Sequence, residues 1–158
     1  MAALLQSRLP ADRTRAGTLW MEEDGTVVWG PVPCLAKADN AGATAHKNPS
    51  RDPLRPYGDH PLGRYRITAW VPTGTDPKEV REYGPHGKLV LDPIAGPALE
   101  AKQNGRYALL LHGGAVGGPY EHGFRPTFGC LRMRDLDMVT LVLNYRTLKC
   151  EEYEATEG

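Results

Sequence analysis

The chain has 158 residues, 41 % of them hydrophobic, and its 19 basic and 19 acidic side chains give a formal net charge of zero. That length suits one domain with a real core, and the charge balance argues against a general nucleic-acid binder, which carries a basic excess, and against an acidic disordered tail. Eighteen Gly and 14 Pro, scattered without a short period, exclude collagen and helical bundles and point to a turn-rich, mostly β protein with long ordered loops.

The first 15 residues hold only Ala2 to Leu5 as an apolar run before Arg8, Pro10, Asp12, Arg13 and Arg15, and read as an N-terminal extension with no secretory signal peptide. No stretch approaches the roughly 18 apolar residues of a transmembrane helix, so no membrane insertion is expected. Residues 18–21 (T-L-W-M) and 26–29 (T-V-V-W) flank Glu22-Glu23-Asp24-Gly25 and predict a hairpin turning at Asp-Gly. Residues 31–63 are dense in Pro, Gly, Asn, Asp and His without periodicity, and predict a long surface loop of the kind that carries function. Residues 64–71 alternate as a strand and 87–91 form another. Residues 97–103 make a short helix stopped by Asn104-Gly105.

Residues 106–111 then predict a buried strand ending at His112-Gly113-Gly114, and a second loop covers 115–128. The one long helix lies near the end: Asp135 can cap its first turn, Asp137 suits the positive end of its dipole, and Leu136, Val139 and Leu143 share a face. A last strand is expected over 148–153, with a frayed tail behind it. The domain itself is placed at 16–150, and residues 151–158 are taken as a C-terminal tail.

Three cysteines, Cys34, Cys130 and Cys150, leave at least one thiol unpaired in any disulfide scheme. A lone cysteine is more often a small core residue than a nucleophile. A nucleophilic thiol needs a basic partner, a group orienting that partner and N–H donors for an oxyanion. His112 can be the partner, the Gly113 carbonyl can orient its other ring nitrogen, and the N–H groups around Gly129 and Cys130 can form the hole. Gly129 suits a tight turn with no room for a Cβ.

The string L-L-L-H-G-G, a loop, then T-F-G-C-L-R-M-R-D-L-D resembles the catalytic segment of the L,D-transpeptidases, the YkuD-type domain. That family's pattern is His-Gly, a loop, then Ser/Thr-His-Gly-Cys-apolar-Arg/Asn and a helix opened by Asn/Asp-x-Asp. Thr127, Gly129, Cys130, Leu131, Arg132, Asp135 and Asp137 match in register. The opening hairpin and Y-G-D-H-P-L-G-R-Y-R-I are similar more loosely, and the likeness covers about residues 16–146. The family's His before Gly-Cys is Phe128 here, which makes that wall of the site more apolar.

The resemblance implies a mainly β, β-sandwich-like L,D-transpeptidase fold with one principal helix after the cysteine. It implies a Cys130 nucleophile with His112 as its base, acting on peptidoglycan stem peptides or muropeptides. Arg132 would hold a peptide carboxylate, with Thr127, Phe128 and the flap residue Tyr120 also contacting substrate. The thioester would pass to an amine, giving 3→3 cross-links or D-amino-acid exchange, or to water, giving L,D-carboxypeptidase activity. No cofactor and no metal is called for; His112, His122 and Cys130 lack the close ligand pairs of a zinc site.

The family implies a periplasmic or cell-envelope location. The missing signal peptide adds two variants, an effector delivered by a secretion system and a cytosolic enzyme trimming recycled muropeptides. A muropeptide-binding module without turnover is the non-enzymatic alternative. Among the other side chains, His122 reads as a flap residue and His46, His60 and His86 as solvated loop residues. Trp20, Trp29 and Trp70 read as core or sheet-face residues; Tyr57, in the long loop, has a better claim than these to line a groove but is still read as an ordinary loop residue. With Cys130 kept reduced, Cys34 and Cys150 are the only pair left for a disulfide.

Overall fold

A computed structural model describes residues 2–114 and 116–158. Eight strands close into a barrel: β1 (Ala3–Leu9), β2 (Gly17–Glu23), β3 (Thr26–Leu35), β4 (Gly63–Val71), β5 (Lys88–Ala95), β6 (Leu109–His112), β7 (Leu131–Met133) and β8 (Glu152–Glu157). The order around the barrel is β1-β2-β3-β7-β6-β5-β4-β8. Neighbours are antiparallel except β1–β8 and β6–β7, which are parallel. The helices are α1 (Asn40–Ala45), α2 (Pro77–Tyr83), α3 (Pro97–Gln103) and α4 (Asp135–Leu148), with a short 3₁₀ turn over Glu121–Gly123.

The mainly β fold agrees with the sequence reading. So does the first hairpin: Glu23 pairs with Thr26, and Asp24 and Gly25 turn between them with φ of 53° and 79°. Both central residues take positive φ, which is why Asp-Gly works here. Helix α3 falls where its Pro start and Asn-Gly stop place it.

The two ends of the chain differ from expectation. The supposed extension supplies β1, whose Ala3, Leu5, Ser7 and Leu9 alternate into the interior. Helix α4 runs on to Leu148, and the supposed tail forms β8, pairing with β1 on one side and β4 on the other. These two short edges close the barrel because neither would be stable unpaired.

The core gathers Leu5, Leu19, Met21, Tyr65, Leu89, Leu111, Leu131 and Tyr153, with α4 packed on it through Met138, Leu141 and Val142. The face chosen from sequence for α4 is the wrong one: Leu136 is 81 % and Leu143 57 % exposed. A second stripe, Met138, Leu141, Val142, Tyr145 and Leu148, has the same helical spacing and is longer. With roughly 1.5–3 kcal/mol gained per fully buried side chain, the longer stripe takes the core. Asp135 does not cap this helix either. Arg134 is the N-cap and makes no side-chain cap bond, while the Asp135 carboxylate reaches back to the Gly114 N–H at 2.9 Å.

Candidate active site

The parallel pair β6–β7 positions the site. Leu111 stands opposite Leu131 and His112 opposite Arg132. Leu109, Leu111, Leu131 and Met133 face the core, so side-chain alternation turns Leu110, His112, Cys130 and Arg132 to the other face. There, His112 and Cys130 line one cavity of about 200 Å³ with Leu110, Tyr83, Arg106 and Tyr57. The two residues singled out in the sequence, 18 positions apart, therefore share a cavity.

His112 is fully buried and its Nδ1 lies 2.6 Å from the Gly113 carbonyl oxygen. A carbonyl only accepts, so Nδ1 carries the proton and Nε2 presents a lone pair. Nε2 is buried without a hydrogen-bond partner among the described residues. Burial lowers the His112 pKa to about 3, so the ring rests neutral. Tyr83 packs its ring edge-on against it, with centroids 5.0 Å apart.

Cys130 is 8 % exposed, and it is a free thiol, as are the fully buried Cys34 and Cys150. Burial pushes its thiol up to about 11, opposed by a hydrogen bond from the Leu110 backbone and by the charge of Arg106. The sulfur also lies 3.5 Å from the Ala108 carbonyl. The resting pair is thus a neutral thiol beside a neutral imidazole.

The turn before Cys130 is held from inside. Thr127 Oγ1 accepts from the Gly129 N–H at 3.0 Å and donates to the Cys130 carbonyl at 2.8 Å. The Gly129 N–H expected for an oxyanion is therefore already engaged, and the Thr127 hydroxyl ties the loop together. Gly129 has φ +114°, and a Cβ there would meet Arg106 Nη2 at 2.0 Å and the Gly58 carbonyl at 2.7 Å. Arg106 in turn donates to the carbonyls of Pro53, Asp59 and Gly58.

The remaining predicted residues spread over two places. Phe128, 55 % exposed, forms the mouth of the cavity with Tyr57, their rings edge-on at 5.7 Å, and Tyr57 stacks on His46 at 3.5 Å. Tyr57 is therefore a wall of the site and not an ordinary loop residue. Tyr120 and Arg132 line a separate cavity on the far side of Thr127 and Phe128. Arg132 is buried, and its Nη2 donates to the Glu82 carbonyl at 3.1 Å. His122 is exposed in the loop after β6.

Three contributions escape the sequence reading. His60 is fully buried, contrary to the solvated side chain expected; its Nδ1 lies 3.0 Å from the Gly129 carbonyl and its Nε2 3.1 Å from the Tyr153 hydroxyl. Arg106 and α2, with Glu82 and Tyr83, are the other two. Helix α2 had a readable start in Asp76-Pro77, the cap and first residue, with Glu79 behind and Gly84 as the stop. Nothing local marks Arg106 or His60. Among the described residues no group of three or more His, Cys, Asp or Glu is placed to hold a metal ion.

No family model and no curated protein matches the chain. Its fold is similar to that of an L,D-transpeptidase (Yku) from Stackebrandtia nassauensis, with 14 % identity and a TM-score of 0.51, covering 98 % of this chain and 55 % of that one. An LD transpeptidase, LdtMt1, solved in complex with imipenem, gives 11 % identity and a TM-score of 0.39 over 96 % of this chain and 58 % of that one. The chain spans little more than half the length of each. The likeness to the first shows a shared fold, a mainly β L,D-transpeptidase architecture.

Proposed function

We propose that the protein is a cysteine acyltransferase acting on peptidoglycan stem peptides, with Cys130 as nucleophile and His112 as base. One observation carries the reading: the His112 Nε2 lone pair is unpartnered and buried, in the cavity that the Cys130 thiol lines. A buried base left without a partner is costly unless chemistry uses it.

As the sulfur attacks the carbonyl of an L-centre residue, typically meso-diaminopimelate, its proton passes to His112 Nε2. The C–N bond to the terminal D-alanine then breaks, and His112 returns the proton to the leaving amine. The thioester is taken by an amine or by water, whose proton goes to Nε2; the C–S bond breaks and the departing Cys130 thiolate takes that proton back. The Gly113 carbonyl holds the ring in the required tautomer. Arg106 offsets negative charge growing on the sulfur.

The test is incubation with a disaccharide tetrapeptide, read by mass spectrometry. Loss of D-alanine, or its exchange for an added D-amino acid, should vanish in Cys130→Ala and His112→Ala and largely survive in His122→Ala. Covalent labelling of Cys130 by a carbapenem is the quicker check. Unchanged substrate that nonetheless binds would replace this reading with a muropeptide-binding module.

A further inference from the structure

Across Thr127 and Phe128, which line both spaces, lies a second cavity of about 590 Å³. Four cations line it: Lys78 and Arg81 from α2, Arg125 from the loop after β6, and Arg132 from β7. Only two acidic groups join them. Asp39 Oδ2 is taken by the Gly42 N–H at the cap of α1, and Glu82 Oε1 stands 3.8 Å from Arg132 Nη2. Glu82 thus answers Arg132, while Lys78, Arg81 and Arg125 enter no ion pair among the described residues.

Like charges gathered on a concave wall repel one another and focus a positive potential into the cleft. Burial makes the Arg132 guanidinium less basic, and the Arg125 charge adds to that in the same direction. The space is within the range of small-molecule sites and well beyond one inorganic anion. Guanidinium forks match carboxylates two bonds at a time.

We propose that this second cavity binds a ligand bearing at least two carboxylates, gripped by Arg81 and Arg125 with Lys78 adding charge. That the ligand is a stem peptide rests on the reading of Cys130 above. The site places carboxylate recognition on α2 and the flap, where Arg132 alone had been expected to supply it.

The experiment is calorimetric titration of the full-length Cys130→Ala protein with three probes: the free-acid tetrapeptide, the same peptide with its side-chain carboxylates amidated, and inorganic phosphate. The free acid should bind, weaken at least tenfold on amidation, and weaken again between 50 and 500 mM salt. Arg81→Glu and Arg125→Glu should each cost at least tenfold. Arg66→Glu, the same charge change on β4 outside both cavities, should cost little. Arg81→Gln and thermal melts guard against misfolding.

Equal binding of the amidated peptide, indifference to both arginine variants, phosphate binding as tight as the peptide, or no peptide binding would each overturn the proposal. The two readings fail separately. Arginine-dependent binding without wild-type turnover would remove the catalytic role of Cys130 and keep this site, whereas turnover indifferent to Arg81 and Arg125 would do the reverse.

Discussion

His60 Nδ1 donates to the carbonyl oxygen of Gly129 at 3.0 Å, joining the long loop after β3 to the residue before Cys130. Burial lowers the His60 pKa to about 3, so the ring is neutral and Nε2 accepts the Tyr153 hydroxyl proton at 3.1 Å. The Tyr153 oxygen must then accept from Ser7 Oγ at 2.6 Å. The chain of bonds anchors the turn before Cys130 to strands β8 and β1. His60→Ala would strand a buried carbonyl and a buried hydroxyl and open a cavity, costing about 3–5 kcal/mol. Urea unfolding measures it; a loss below 1 kcal/mol would show that the anchor carries no weight.

Gly129 sits where neither conformation nor space allows a side chain. Gly129→Ala should cost about 3 kcal/mol or more, because positive φ and contact with Arg106 and the Gly58 carbonyl act together. Gly105→Ala is the control: φ is +95° but nothing lies within 4 Å of the added Cβ, so only the conformational cost of about 1 kcal/mol should appear. Equal losses at the two positions would show that Arg106 yields freely.

These two residues show how far the sequence reached. Gly129, Cys130 and His112 were legible because a short motif fixes their local geometry, and the Asp24-Gly25 hairpin because turn chemistry is local. His60 was not. Its Pro- and Gly-rich surroundings correctly signal irregular backbone, yet that backbone is pinned to Thr127, Gly129 and Arg106, and burial is decided by what it packs on. Helix α4 gave its start but neither its end nor its face, since it runs on to Leu148 and two stripes of apolar residues compete, with only the barrel selecting between them. Strands β1 and β8 lack value alone and exist through each other.

Asp135 reaches His112 through the backbone. Its Oδ1 holds the Gly114 N–H, and a Cβ at Gly113 would meet that oxygen at 2.2 Å. Asp135→Ala should lose about 1–3 kcal/mol of stability and lower turnover further by freeing the turn whose carbonyl fixes the His112 tautomer. Asp135→Asn keeps an acceptor oxygen and should retain most of both. An Asn variant as slow as the Ala variant would point to the charge and not to the bond.

The neutral thiol has a kinetic signature. A Cys–His ion pair alkylates at a rate that levels off at acidic to neutral pH, because thiolate is already present. With burial raising Cys130 to about 11 and lowering His112 to about 3, iodoacetamide should react slowly at pH 7 in the absence of substrate. The rate should climb through pH 9 without an acidic plateau. Labelling is followed by mass spectrometry of the Cys130 peptide, with Cys34 and Cys150 as buried internal references. A plateau between pH 5 and 7 would establish a resting ion pair.

Stability should peak between pH 6.5 and 9. On the acid side, His60 and His112 bind protons at their ordinary value of 6.5 when unfolded but only near 3 when folded. The unfolded state therefore holds more protons below 6.5, and stability falls as pH drops, by up to about 1.4 kcal/mol per pH unit for each ring. On the alkaline side, Cys34 and Cys130 ionise near 9 when unfolded but near 12 and 11 when folded. The unfolded state loses protons first, so stability falls again above pH 9. Urea midpoints measured under reducing conditions trace both limbs, and the window from pH 5 to 6.5 isolates the histidines from the carboxylates. His112→Gln should halve the acid slope there. An unchanged slope would mean that His112 titrates alike in both states, and its buried, neutral resting form would have to be abandoned.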